Sequence, residues 1–230
     1  MKTLLFILFL CISACAYPQK IVLSQDIKSD TIRPANGPNL KNYKHMYLGI
    51  GFPVFTNEEL NYTKPGTSMT VDFGFRYKRR LNNSFSILAD LSANWAAYKI
   101  KQEKGKAIPD TTINDKAKFK VNSLSPSVYA RINVGRRGNY IGNYLDLGVY
   151  GSWNWKKSYK TVNKIENSQV EHKEINRLSY VEPLTYGCMA RIGVNRYAIT
   201  ARYRISDLFK ENNYAELPRL SLGIEIGLLK

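Results

Sequence analysis

From Met46 onward, apolar residues fall on every second position over successive stretches of about ten residues. In "VDFGFRYKRRLNNSFSILADL" (Val71 to Leu91), Val71, Phe73, Phe75 and Tyr77 alternate with Asp72, Gly74 and Arg76. The alternation breaks over Arg80-Leu81-Asn82-Asn83 and resumes at Phe85. A two-residue period marks a strand with one apolar and one polar face. The same test predicts strands over Met46–Val54, Met69–Tyr77, Phe85–Ala97, Leu124–Val134, Leu145–Trp155, Leu184–Val194, Tyr197–Ile205 and Leu220–Leu228. Most are nine to eleven residues long, the length that lets a tilted strand cross a bilayer.

The connections alternate in length. Short turns fall at Arg80–Asn83, from Gly135 to Asn139, and at Asn195-Arg196. Long segments fall at about Phe55–Ser68, Tyr98–Ser123, Lys156–Pro183 and Ser206–Arg219. Short periplasmic turns and long extracellular loops are the habit of outer-membrane barrels. The expected fold is therefore all-β: an eight-stranded antiparallel up-and-down transmembrane β-barrel over residues 45–230.

The composition of the polar face decides which side is inside. It carries Gly49, Gly51, Gly74, Gly148, Gly187, Gly193, Gly223 and Gly227 among Asn94, Ser125 and Ser127. Its charges are Asp72, Arg76, Asp90, Arg131, Asp146, Arg191, Arg202, Arg204 and Glu225. Glycine weakens a solvated strand. Small residues and arginines near balance with carboxylates suit the narrow lumen of an eight-stranded barrel, where charges must pair. The opposite face is apolar, with aromatics at its ends. Trp95, Trp153, Trp155 and Tyr203 belong to the extracellular rim, and Tyr77, Phe85 and Tyr197 to the periplasmic rim, as in the two aromatic girdles of a membrane barrel.

The N-terminus adds export. Lys2, the apolar run Leu4–Ile12 and Ser13-Ala14-Cys15-Ala16 make a secretory signal peptide over 1–16. Two processing readings stand: cleavage after Ala16, leaving Tyr17 first, or lipidation at Cys15. Residues 17–44, with Pro18, Pro34 and Pro38, read as an extended periplasmic leader. Cleavage after Ala16 would leave Cys188 as the one cysteine, so no internal disulfide is expected. The formal charge is +16. Export turns that excess away from nucleic acid and toward phosphate-rich lipid or acidic glycans.

With this pattern in place, the chain resembles the small eight-stranded outer-membrane barrels of the OmpA/OmpX type, and more closely the outer-membrane barrels of Bacteroidota grouped as PorT-like. The resemblance covers roughly Lys44 to Lys230 and lies in "MYLGIGFPVF", "LSPSVYARINV", "YLDLGVYGSW" and "YAITARYRISDLF". It implies a surface or assembly protein of the outer membrane, with secretion-linked roles among the possibilities. One departure is the ending Gly227-Leu228-Leu229-Lys230, where such barrels often carry a terminal aromatic.

Candidate chemistry is sparse. A lipid-A deacylase-like barrel needs His, Ser and an acid together, but the only histidines are His45, at the entry to the first strand, and His172, in "VEHKEIN". Both are expected to be solvated polar residues. Glu171, His172 and Glu174 make a weak metal set. Asp72, Asp90 and Asp146 fit a structural ion-pair network better than acid–base catalysis. No phosphate loop and no G-x-S-x-G occurs. No catalytic residue, metal or cofactor is therefore expected. The basic loops hold Lys101, Lys104, Lys106, Lys116, Lys118 and Lys120, then Lys156, Lys157, Lys160 and Lys164. They are expected to meet outer-membrane lipid (lipopolysaccharide phosphates) or an acidic envelope protein partner. The expected role is recognition, adhesion or envelope assembly. A lipid-modifying barrel enzyme and a soluble lipocalin-like carrier are the alternatives.

Overall fold

The computed structural model describes residues 37–54, 63–64, 67–102, 112–134, 140–164, 170–210 and 216–228. The expected signal peptide and most of the leader lie outside them, as do the turn Gly135–Asn139 and much of the first two long connections.

The described chain is a closed antiparallel barrel. Its strands are β1 (Asn42–Val54), β2 (Met69–Arg80), β3 (Phe85–Ile100), β4 (Lys116–Val134), β5 (Asn143–Lys164), β6 (Val170–Asn176), β7 (Leu184–Val194), β8 (Tyr197–Arg204) and β9 (Leu220–Leu228). The pairs β1–β2, β2–β3, β3–β4, β4–β5, β5–β7, β7–β8, β8–β9 and β9–β1 form a ring of eight. The ninth strand, β6, pairs only with the outer part of β5, from Ser158 to Lys164. Closure satisfies backbone groups that hydrocarbon could not.

Alternation sets the two faces of the wall. Phe73, Val149, Ile199 and Ile224 point outward, Ile199 and Ile224 being 67% and 62% exposed. Arg76, Arg131, Asp146 and Arg191 point inward at 1% exposure or less. A soluble carrier would need the opposite arrangement, with the apolar face lining a cavity.

Short turns are chosen locally. Asn82 Oδ1 accepts hydrogen bonds from the backbone N–H of Ser84 (2.9 Å) and Phe85 (2.7 Å), a side-chain turn that Asn makes readily. Asn195 takes a left-handed φ of 54° in the two-residue turn between β7 and β8, a conformation Asn tolerates better than most residues.

The structure departs from the pattern on the extracellular side. Segments read as loops are strand: β3 continues to Ile100, β4 begins at Lys116 rather than Leu124, β5 runs on past Trp155 to Lys164, and β6 is new. Two features explain this. In "KAKFKVNSL" the apolar residues Ala117, Phe119 and Val121 fall on the inward phase, whereas below Ser123 the apolar residues Leu124, Val128 and Ile132 fall on the outward phase. One continuous strand thus changes its apolar side where the surroundings change from hydrocarbon to water. In β5 the change coincides with a bulge: Asn122 faces Lys156 but Ser123 faces Asn154, so Trp155 is the extra residue.

The inward side chains of these extensions make a second, ordinary core. Ile100, Ala117, Phe119, Val121 and Tyr159 pack with Leu178, Val181, Leu208, Phe209 and Leu217. Phe119 and Phe209 meet edge to face at 5.8 Å. This core caps the barrel above the polar lumen.

Candidate functional site

The lumen is filled by a charge cluster drawn from six strands. Arg76 (β2) donates from Nε to Asp90 (β3) at 2.9–3.0 Å and from Nη1 to Glu225 (β9) at 2.6 Å. Arg131 (β4) grips Asp146 (β5) with two parallel bonds of 2.7 and 2.8 Å. Arg191 (β7) joins the halves, with Nη1 2.9 Å from Asp146 and Nη2 3.1 Å from Glu225 and 3.5 Å from Asp90. Three guanidinium groups therefore meet three carboxylates, and the cluster is neutral. Buried charges are tolerable only when paired in this way.

The other expected lumen residues lie closer to the extracellular end. Arg202 reaches Asp72 and Asn94, each at 3.3 Å. Arg204 is not part of the central cluster; it binds Glu216 and the Leu217 carbonyl, both at 2.9 Å, beneath the cap. Between these groups lies a chamber of about 90 Å³ with a mixed lining, polar at Asp72, Asn94 and Arg202 and apolar at Pro53, Val121 and Leu208. That is room for roughly three waters.

Four tyrosines that the reading of the polar face passed over complete the plug. Arg76 lies over the Tyr47 ring at 4.3 Å from its centroid, Arg131 over Tyr144 at 3.7 Å, Arg191 over Tyr129 at 4.8 Å and Arg202 over Tyr150 at 5.2 Å. Cation–π contact is strongest where water is excluded. Each tyrosine also faces a glycine across the ladder: Tyr47 faces Gly74, Tyr129 faces Gly148, Tyr144 faces Gly193 and Tyr150 faces Gly187. At Gly74 and Gly193 the ring occupies the space a Cβ would need; at Gly148 and Gly187 the tyrosine crowds that space together with a nearer backbone carbonyl oxygen, of Val128 and Tyr203 respectively. The signal was available: Tyr47 shares its phase with Gly49, and Tyr129 with Arg131.

The histidines are not what the sequence suggests. His45 is not a solvated entry residue; it is buried inside β1, stacked on Tyr43 at 5.3 Å, because its phase points inward. Its Nδ1 has no hydrogen-bond partner, so no serine hydroxyl is held there. His172 is exposed on β6. Glu171 lies out of phase with His172 and Glu174 on that strand, and among the described residues no cluster of three potential metal ligands forms. Cys188 is free and outward-facing.

The outer wall is zoned. Tyr77, Phe85 and Tyr197 are exposed near the short turns, and Trp95, Trp153, Trp155 and Tyr203 near the other end. Above the tryptophans the outward positions become basic: Lys118 and Lys120 on β4, Lys156 and Lys160 on β5, Lys99 on β3. Lys116 also lies on this stretch of β4. Lys157 turns toward the cap and donates to the Val181 carbonyl at 2.9 Å; burial and then Lys210 push its pKa down. Lys101 is half-buried. Lys104 and Lys106 lie outside the described residues. Lys118 also has a lowered pKa, from partial burial first and then from Lys120, Lys99 and Lys160.

A closed antiparallel ring with a charged, filled lumen and an apolar belt defines the class: an integral outer-membrane barrel. Residues 32–210 match the family model described as "Outer membrane protein beta-barrel domain", and the chain belongs to that family. Its place is the outer membrane. Among solved structures, the chain is similar to the attachment invasion locus protein Ail of Yersinia pestis in complex with the heparin analogue sucrose octasulfate, at 13% identity and a TM-score of 0.33, covering 82% of this chain and 96% of that one. A second structure of Ail matches at 14% identity and a TM-score of 0.29, covering 81% and 95%. No curated protein matches the sequence.

Proposed function

We propose that this protein is a non-enzymatic, sealed barrel whose function lies in the sheet it raises outside the membrane, in surface recognition, adhesion or envelope assembly. The observation that carries this reading is the lumen. Six paired charges with Tyr47, Tyr129 and Tyr144 fill it, and a separate apolar core stands above. Nothing of solute size passes such a plug, so specificity falls to the extracellular face. A signal peptide over 1–16 and a leader from residue 17 complete the domain plan; the expected leader end at residue 44 gives way to β1, which already starts at Asn42. A secretion-linked role of the PorT-like kind is a narrower form of the same reading.

The test is planar-bilayer conductance on protein whose folding is verified by a heat-modifiability gel. Folded protein should migrate differently before and after boiling and should leave the bilayer silent. Large, stable open-channel steps would overturn the sealed-barrel reading. The enzyme alternative would be revived by release of fatty acid from lipid A, lost on His45→Ala.

A further inference from the structure

The lysines above the tryptophan rim form a line. Lys99 faces Lys118 across β3–β4, Lys118 faces Lys160 across β4–β5, and Lys160 faces Glu174 across β5–β6. Three like charges thus occupy one rung of a sheet, an arrangement that is destabilising by itself. Lys120 lies two residues from this rung and Lys156 four from Lys160. Glu174 pairs with Lys160 at 2.6 Å. No carboxylate among the described residues pairs with Lys118 or Lys120. The same chain matches every buried arginine in its lumen with a carboxylate, so the unmatched rung is not a general tolerance of charge.

Height supplies the second constraint. Trp95 faces Asn122, and Lys120 and Lys118 follow on the same face of β4, two and four residues farther from the membrane. At about 3.3 Å per residue and a tilt near 45°, they stand roughly 5–9 Å above the aromatic rim. A bilayer's headgroup layer is about that thick on each side. Lys118, Lys120, Lys156 and Lys160 also border one shallow depression of about 330 Å³, with Trp95 at its lower edge.

We infer that this depression is a binding site for the phosphate groups of outer-leaflet glycolipid. The ammonium groups would hold the phosphate oxygens through charge-assisted bonds while Trp95 and Trp153 meet the acyl boundary. Ligand binding then relieves the repulsion among the facing lysines. The inference deepens the proposed function by naming an occupant for the outer face of that extracellular sheet.

The test places the full-length barrel in phosphatidylcholine nanodiscs carrying labelled bisphosphorylated lipid A and reads energy transfer from the tryptophans to the label. We expect enrichment of lipid A around the parent protein. The triple variant Lys118→Gln/Lys120→Gln/Lys160→Gln should reduce it by roughly tenfold or more. Lys44→Gln, on the other rim, should leave it unchanged, and Glu174→Gln should raise it. Dephosphorylated lipid A should not enrich. In lipid-free detergent the double variant Lys118→Gln/Lys120→Gln, which leaves the Lys160–Glu174 pair in place, should melt no lower than the parent, because it removes repulsion. Equal enrichment of both lipids, equal enrichment by parent and triple variant, or a lower melting point of the double variant would overturn the site. Lysine-dependent binding of soluble heparin without lipid A enrichment would overturn the lipid assignment. Channel steps in the conductance test would sink the sealed-barrel reading without changing this result, so the two failures are distinguishable.

Discussion

The Tyr47 ring sits where a Cβ on Gly74 would be, with Cε1 and Oη each 2.6 Å from that position. The two residues are direct cross-strand partners. Gly74 is inward and buried, so its missing side chain is the opening that admits the ring, and the ring in turn carries the Arg76 guanidinium. Tyrosine over glycine recurs at three further places in the lumen, which is why glycine is common on a face that secondary-structure preference would deny it.

Gly74→Val and Gly193→Val should each destabilise the folded barrel, by about 1–3 kcal/mol of overpacking. Urea titration followed on a heat-modifiability gel reads this as a lower midpoint. Tyr47→Ala should restore part of the loss in the Gly74→Val background but none in Gly193→Val. Gly151→Val is the control, since a Cβ there meets nothing within 4 Å.

Asp146 holds both Arg131 and Arg191. Asp146→Leu should cost about 3–5 kcal/mol, the usual penalty for stranding a buried charge. Adding Arg131→Met should recover only part of it, because Arg191 still loses one partner. Full recovery in the double variant would mean that the two halves of the cluster act separately.

The transmembrane part of this fold was legible because two independent patterns agreed. Alternation marked the strands, and the pairing of Arg with Gly on one face separated a lumen from a solvated surface. The same logic failed above the membrane. Lys116–Ser123 alternates as cleanly as any strand, but its lysines give it the composition of a loop. Reading the apolar phase on each side of Ser123 separately would have recovered it. The cap needed more: Leu178, Val181 and Phe209 join Phe119 only through tertiary packing, and no local signal announces that. His45 shares the inward phase of Tyr47 and Gly49, and that phase buries it although its place at the strand entry suggests solvent.

Phe119→Ala should damage the cap and spare the barrel. Loss of a buried phenylalanine costs about 3–5 kcal/mol, here confined to a core separate from the lumen. Protease added to intact membranes should cut the extracellular extensions of the variant faster, while the gel shift on boiling stays the same. A variant that loses the gel shift would show that cap and barrel fold as one unit.

Acid should loosen β6. The hydrogen bond from Lys160, with a smaller contribution from nearby lysine charge, holds Glu174 below the ordinary carboxylate value. A depressed carboxylate contributes stability above its unfolded pKa and loses it as pH falls through the folded value. Hydrogen exchange in Val170–Asn176, normalised for the intrinsic rate, should therefore rise below about pH 4.5. Glu174→Gln should abolish that step. Because both side chains are partly exposed, the effect is small.

All three tryptophans stand at one rim. Lipids brominated at different acyl depths should quench their fluorescence with a single maximum near one interface. Two maxima, or no quenching, would contradict the zoning of the outer wall.

The central charges come from β2, β3, β4, β5, β7 and β9, and the last of them in chain order, Glu225, lies on the strand that closes the ring. An arrested intermediate lacking β9 would hold Arg76 without one of its two counterions, and its open edges would face lipid. Such a species is penalised twice, so insertion should run as a single late commitment. The interior thereby ties charge balance to completeness: without β9, three arginines share two carboxylates, Asp90 and Asp146.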